Sequence, residues 1–151
     1  MRTVHGLDEL KSLVGQDLGV SDWHAVTQHE INLFADATHD HQWIHVDPER
    51  CKRDSPFGGP IAHGYYTLSL APFLLGQILR VDGVRMGVNY GLNKMRLPSP
   101  VPVGGKVRLR ATMNGYEPFQ GGAAGTIGLT FEIEGQQKPC CVAEAIYRYY
   151  V

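Results

Sequence analysis

An aspartate and a histidine five positions apart, Asp40 and His45, are the pair in this chain best placed for acid/base chemistry. They sit in Phe34-Ala-Asp-Ala-Thr38-His-Asp40-His-Gln-Trp-Ile-His45-Val-Asp47-Pro48, the densest run of titratable side chains in the sequence. A carboxylate and an imidazole on one loop can hold a single water between them and move its proton. Downstream, Ile61-Ala-His63-Gly64 opens a nearly all-apolar run to Leu79, so the loop faces the start of a buried helix. Taken singly, the same residues have plainer readings. Asp40 alone is a turn residue at a helix C-terminus, His45 a loop histidine, and His63 a ring that ties the loop to backbone. His39, His41 and His45 with Asp40 match no familiar metal spacing, so no metal is expected.

The elements that position this pair follow from local pattern. Asp22–Val26 reads as a strand, stopped where Thr27 and Glu30 take capping-box spacing at the head of a helix. Ile31, Phe34 and Ala35 share one face of that helix, which docks through them and delivers Thr38 to Asp40 at its far end. Asp47-Pro48 starts a second helix, because proline tolerates the first helical position. His39–Val46 is therefore a loop held at both ends, as a precisely placed pair requires. Ser55–Pro60 is turn. Gly64–Arg80 reads as one buried helix, roughly 25 Å long and bent at Pro72. Tyr65 and Tyr66 are read as packing groups on it. Leu7–Leu18 is a short helix or an edge segment, with Gly15 as a break.

Strand-like alternation fills the rest. It runs through Val84–Leu92 with a phase slip near Lys94, then Val107–Met113, Ile127–Ile133 and Cys140–Tyr150. The expected architecture is α+β: an antiparallel sheet curled around a central helix, in one domain over residues 1–151.

With 14 basic and 15 acidic residues the net charge is −1, so no global field recruits nucleic acid or an anionic membrane. No apolar run is long enough to span a bilayer, and the N-terminus has no secretory h-region. Three cysteines, two of them adjacent at Cys140 and Cys141, make no disulfide framework. A cytoplasmic protein is expected.

The pattern Phe34-Ala-x-x-Thr38-x-Asp40-x-x-x-Ile44-His45-x-Asp47-Pro48, then Phe57-Gly, then Pro60-Ile-Ala-His63-Gly64 resembles the hydratase motif of MaoC-like hot-dog proteins. The resemblance extends through Asn89-Tyr-Gly91-Leu-Asn93-Lys-Met-Arg96 and Pro98-Ser-Pro-Val, and is nearest to the single-domain, nodulation-protein-N-like branch. It implies a hot-dog fold, (R)-specific enoyl-CoA hydratase activity in fatty acid metabolism, a homodimer, and no cofactor. The substrate would be an acyl-CoA thioester, with acyl carrier protein as the other possible carrier.

Carried over by position, the catalytic aspartate falls on Asp40, the histidine on His45 and the backbone oxyanion donor on Gly64. Asp40 would take the water's proton, His45 would orient the water and relay a proton to C2, and Gly64 N–H would bind the thioester oxygen. Candidates for substrate binding are His63, Tyr65, Lys94 and Arg96. The last two could meet coenzyme phosphates or be a solvated strand face. The sequence departs from the motif at His39, where glycine is usual, and at Gln42-Trp43, where Asn-Pro is usual. Two other readings stand beside hydration. A hot-dog thioesterase would need a carboxylate on the central helix, and Gly64–Arg80 has none; a non-catalytic acyl-thioester binding module would bind without turnover.

Overall fold

The computed structural model describes residues 1–151. Strands β2 (Asp17–Val20), β3 (His24–Ala25), β5 (Met86–Arg96), β6 (Lys106–Phe119), β7 (Gly122–Ile133) and β8 (Cys141–Tyr150) form one antiparallel six-stranded sheet in the order β2-β6-β7-β8-β5, with β3 also on β6. The expected alternation decides its two faces. Val107, Leu109, Ala111 and Met113 of β6 are buried, as are Ile127, Leu129 and Phe131 of β7, and these form the concave core. Removing each such large side chain from water contributes roughly 2 kcal/mol. Arg108, Arg110, Thr112 and Glu132 alternate onto the outer face. The register of β5 slips twice against β8, between Asn89 and Gly91 and between Leu92 and Lys94, so the expected irregularity near Lys94 has a companion at Tyr90.

Helices α1 (Gly6–Ser12), α2 (Gln28–Thr38), α3 (Trp43–Val46), α4 (Pro48–Asp54), α5 (Gly64–Ser69) and α6 (Ala71–Leu75) complete the layer on the concave side. Tyr66, Ala71, Leu74 and Leu75 dock the central α5–α6 segment into the sheet core.

The central helix differs from expectation in two ways. It ends at Leu75, not Arg80, and breaks at Leu70, whose N–H is shared between the carbonyls of Tyr66 and Thr67 at 3.2 Å each. Pro72 has no N–H to offer Leu68, and its ring crowds that carbonyl, so the turn tightens just before it. Leu79 then leaves the helix altogether. It opens β4 (Leu79–Asp82), which pairs in parallel with β1 (Arg2–His5) in a separate two-stranded sheet. The helix is also not buried all round: Tyr65, Ser69, Pro72 and Phe73 lie along an exposed stripe, because the sheet covers only the opposite side.

Candidate active site

The loop that carries Asp40 is pinned from both sides by side-chain chemistry. At its N-terminal end Thr27 caps α2, its hydroxyl accepting from Glu30 N–H at 3.2 Å. Glu30 does not complete the capping box: its carboxylate instead accepts from His24 and Tyr66. Ile31 and Ala35 are fully buried, so α2 is fixed against the core and ends at Thr38. His39 follows in the left-handed conformation, with φ 61°. That is the backbone a glycine adopts without strain, which accounts physically for the glycine usual at this position. At the C-terminal end Asp47 accepts from Arg50 N–H at 2.9 Å and caps α4, with Pro48 at its first turn. Between these anchors the chain is not wholly loop, since Trp43–Val46 forms the single turn α3. Trp43 packs under the Arg50 guanidinium at 4.3 Å, so this departure from the motif braces α4 and leaves the acid/base pair untouched.

His45 is buried, at 7% exposure, and its Nδ1 lies 2.7 Å from the Ile61 carbonyl oxygen. A carbonyl only accepts, so Nδ1 carries the proton and Nε2 is bare. No protein group donates to Nε2. Gln28 Nε2 donates to the His45 carbonyl at 2.7 Å, locking the backbone behind the ring. Burial, aided by the neighbouring His63, pushes the His45 imidazolium below its ordinary pKa against the opposing pull of the Ile61 carbonyl and Asp40. The ring is thus held as a neutral acceptor.

Asp40 is exposed, with one carboxylate oxygen accepting from Gln42 N–H at 3.3 Å. Ligand atoms of Asp40, His45 and His63 all lie within 4.8 Å of one another. Two hydrogen bonds meeting on one water span about 4.5 Å, so groups this close can share a single water. An ion suits the cluster less well. The His45 and His63 rings stack face to face, with centroids 3.9 Å apart and planes at 26°, and each already spends one ring nitrogen on a backbone carbonyl.

A cavity of about 420 Å³ opens here, walled by Asp40, His45, His63, Gly64 and Tyr65. His45 and Gly64 also line a second, more apolar cavity of about 260 Å³, closed by Ile61, Leu97 and Val101 and reaching Cys140. Gly64 is the first residue of α5, so its N–H has no partner within the helix. A methyl group at Gly64 would lie 2.2 Å from Leu97 Cδ1, which shows how closely that side chain covers the backbone.

The structure brings Asp40, His45, His63, Gly64 and Tyr65 together. Tyr65 is exposed at the cavity wall and so is not a packing group, whereas Tyr66 is buried as expected. Lys94 and Arg96 are elsewhere. They stand opposite Glu144 and Val142 on the outer face of the sheet, beside a separate cavity of about 410 Å³ that also includes Thr112 and Thr130. Sequence reasoning missed Gln28 and Leu97. Both act across long stretches of chain, and neither residue type carries a chemical signal of its own. The three cysteines are free and buried, with burial pushing Cys140 up to about 12 and Cys141 to about 11, so neither of that pair is a ready nucleophile.

Known proteins resemble this chain along nearly its whole length. Residues 9–132 match the family described as MaoC like domain. Over 150 residues the chain is 52% identical to 3-hydroxyacyl-thioester dehydratase Z of Mycobacterium tuberculosis, covering 99% of each chain. It is 45% identical over 143 residues to nodulation protein N of Rhizobium leguminosarum bv. viciae, covering 93% of this chain and 88% of that one. The solved structure of an (R)-hydratase from A. caviae involved in PHA biosynthesis is similar with a TM-score of 0.72 at 25% identity, over 89% of this chain and 94% of that one.

Proposed function

Because this chain belongs to the MaoC-like dehydratase family, we propose that it hydrates trans-2-enoyl-CoA thioesters to (R)-3-hydroxyacyl-CoA, and runs the reverse dehydration, in fatty acid metabolism. The observation that carries this reading is that buried His45 spends Nδ1–H on the Ile61 carbonyl and keeps Nε2 bare, with a ligand atom within 4.8 Å of one of Asp40, in one cavity with Gly64.

Hydration needs water deprotonated, C2 protonated and the thioester oxygen stabilised as it gains enolate character. A water between Asp40 and His45 donates one hydrogen to each acceptor, which turns an oxygen lone pair towards C3. As the C3–O bond forms, Asp40 takes the proton the water must lose. The electron pair of the double bond moves to C2 and the thioester oxygen, and C2 collects a proton relayed by the pair. One proton leaves and one is delivered, so no external acid is consumed. Gly64 N–H binds the thioester oxygen, and a donor of this kind typically contributes about 3 kcal/mol to the transition state. The more apolar cavity behind His45 suits the acyl chain, and Tyr65 stands at the wall where the pantetheine arm would leave. Lys94 and Arg96, on the outer face, do not reach the thioester and are a solvated strand face unless the coenzyme phosphates extend to them.

β5 is a sheet edge with Met86, Val88 and Tyr90 exposed, and pairing with β5 of a second copy would cover it. The expected assembly is a homodimer, and sedimentation as a monomer alone would contradict it. Buried free thiols suit a reducing cytoplasm. No helix is long and apolar enough to cross a membrane.

The function is tested by following the conjugated enoyl-thioester absorbance with short, medium and long trans-2-enoyl-CoA, then resolving the product enantiomers. Loss of absorbance with (R)-3-hydroxyacyl-CoA as product supports hydration. Release of free thiol would make the protein a thioesterase, and binding without any change would make it a binding module.

A further inference from the structure

We infer that His63, which does not itself need to touch the reacting atoms, is a positioning residue that sets the mutual register of Asp40, His45 and Gly64. The inference rests on the hydratase reading for its kinetic consequences and on the hydrogen bond, stacking and burial of His63 for its structural ones.

His63 makes a separate connection to each of the three. Its Nε2 lies 3.0 Å from the Asp40 carbonyl oxygen, so Nε2–H donates and fixes the backbone of the carboxylate residue. Its ring stacks on His45 and is backed on Phe34 at 4.9 Å, so it forms the middle of a three-ring pile that leaves His45 little freedom to rotate. Its main chain is the N-cap of α5, with the His63 carbonyl accepting from Tyr66 and Thr67 N–H, and Gly64 is the next residue. One side chain thus ties the loop to the helix start across 23 positions of sequence. Side-chain burial at this level, with 3% of His63 exposed, makes these contacts persistent.

The ring also bears on protonation. With Nε2–H used, Nδ1 of His63 is bare, buried and without a donor. The groups facing His45 are Asp40 on the loop, Gln28 from α2, His63 at the head of α5 and the neutral thiol of Cys140 before β8. Of these, Asp40 favours the His45 cation and His63 opposes it. Removing His63 therefore moves His45 towards easier protonation, and the acid limb of activity moves to higher pH.

The experiment compares wild type with His63→Phe, which keeps a stacking ring and loses the donor, and His63→Gln, which keeps a donor and loses the ring. Three readouts are taken: kcat and KM on trans-2-butenoyl-CoA across pH, thermal melting, and the His45 titration midpoint by NMR. The expected result for His63→Phe is a kcat lower by about 100-fold, the scale of an ångström-sized misplacement. KM should change far less, and the acid limb and the NMR midpoint of His45 should both rise. His63→Gln should recover part of kcat by restoring the bond to Asp40. A rise in KM at unchanged kcat would make His63 a substrate contact and overturn the inference. So would a loss of kcat that tracks melting temperature with the acid limb unmoved. If wild type hydrates nothing, the hydratase reading falls by itself; the NMR midpoint of His45 still decides, and an identical value in wild type and His63→Phe overturns the positioning role.

Discussion

Two clusters on the concave side of the sheet are built from the same kinds of side chain, yet they are suited to different work. In the first, His24 and Tyr66 both donate to one oxygen of Glu30, joining β3, α2 and α5. In the second, Asp40, His45 and His63 join the loop to the head of α5. Each has a carboxylate, an imidazole and a further ring. The difference lies in where the hydrogen bonds go. In the first cluster the donors meet the carboxylate and satisfy it. In the second, both histidines spend their N–H groups on backbone carbonyls, which leaves the carboxylate and His45 Nε2 free to act on a third molecule. A satisfied polar cluster stabilises a fold, and an unsatisfied one beside a cavity can do chemistry.

The sharpest way to break this contrast is to remove a carboxylate from each side. Asp40→Asn should lower kcat for enoyl-CoA hydration by about 1,000-fold, within the range for a positioned acid/base group, while melting stays near that of wild type. Glu30→Gln should do the reverse, keeping kcat within a few-fold and lowering the melting temperature. Similar losses of kcat in both variants would dissolve the distinction.

Gly64→Ala comes next in size. The new methyl must displace Leu97, so the thioester oxygen loses its close approach to the N–H and kcat/KM should fall by roughly 10- to 100-fold. Pairing it with Leu97→Ala should recover part of the loss, because the obstructing atom is the end of a flexible side chain; no recovery would show that Leu97 is not what the methyl meets.

Tyr66→Phe removes one donor from the satisfied cluster and should cost about 1 kcal/mol in denaturant unfolding with kcat nearly unchanged. The pH dependences should separate as well. Partial burial would raise the Glu30 carboxyl, but hydrogen bonds from Tyr66 and His24 outweigh it and hold it below its ordinary value. Its contribution to stability is therefore full above the ordinary carboxylate range and is lost as pH falls through the lowered value. Tyr66 is pushed above its ordinary value by burial and by Glu30, so its contribution is full below pH about 10 and fades only above that. Activity follows His45 instead, and its acid limb should lie below the ordinary histidine value, because the neutral ring is the working form. A limb at or above that value would contradict the environment described for His45.

The smallest effect is at His39. Glycine there would relieve a left-handed backbone but add freedom to the unfolded chain, so His39→Gly should stabilise by about 0.5 kcal/mol with no change in kcat. A loss of stability would mean the His39 side chain contributes a contact beyond its backbone.

Much of this was legible in the sequence for definite reasons. Period-two alternation in Val107–Met113 and Ile127–Ile133 specifies which face of the sheet is buried, and Thr27, Asp47 and Pro48 mark helix starts through local hydrogen bonding that needs no tertiary context. The motif located Asp40, His45 and Gly64 together. What could not be read depends on partners distant in sequence. Apolar content made Leu79 and Arg80 look helical, because the strand that claims them is the N-terminal Arg2–His5. The capping box at Glu30 was only half right, because Tyr66, 36 positions on, competes for the carboxylate. Lys94 and Arg96, read either as contacts to coenzyme phosphates or as a solvated strand face, could be given a face only by the register of β5 on β8.

The central claim is that His45 presents a bare Nε2 while the nitrogen behind it is protonated, and long-range proton–nitrogen NMR of the imidazole rings at neutral pH tests it most directly. The predicted result is a neutral His45 with its proton on Nδ1 and a non-protonated Nε2. A His45 protonated on Nε2, or on both nitrogens at that pH, would leave no acceptor facing Asp40 and would contradict it.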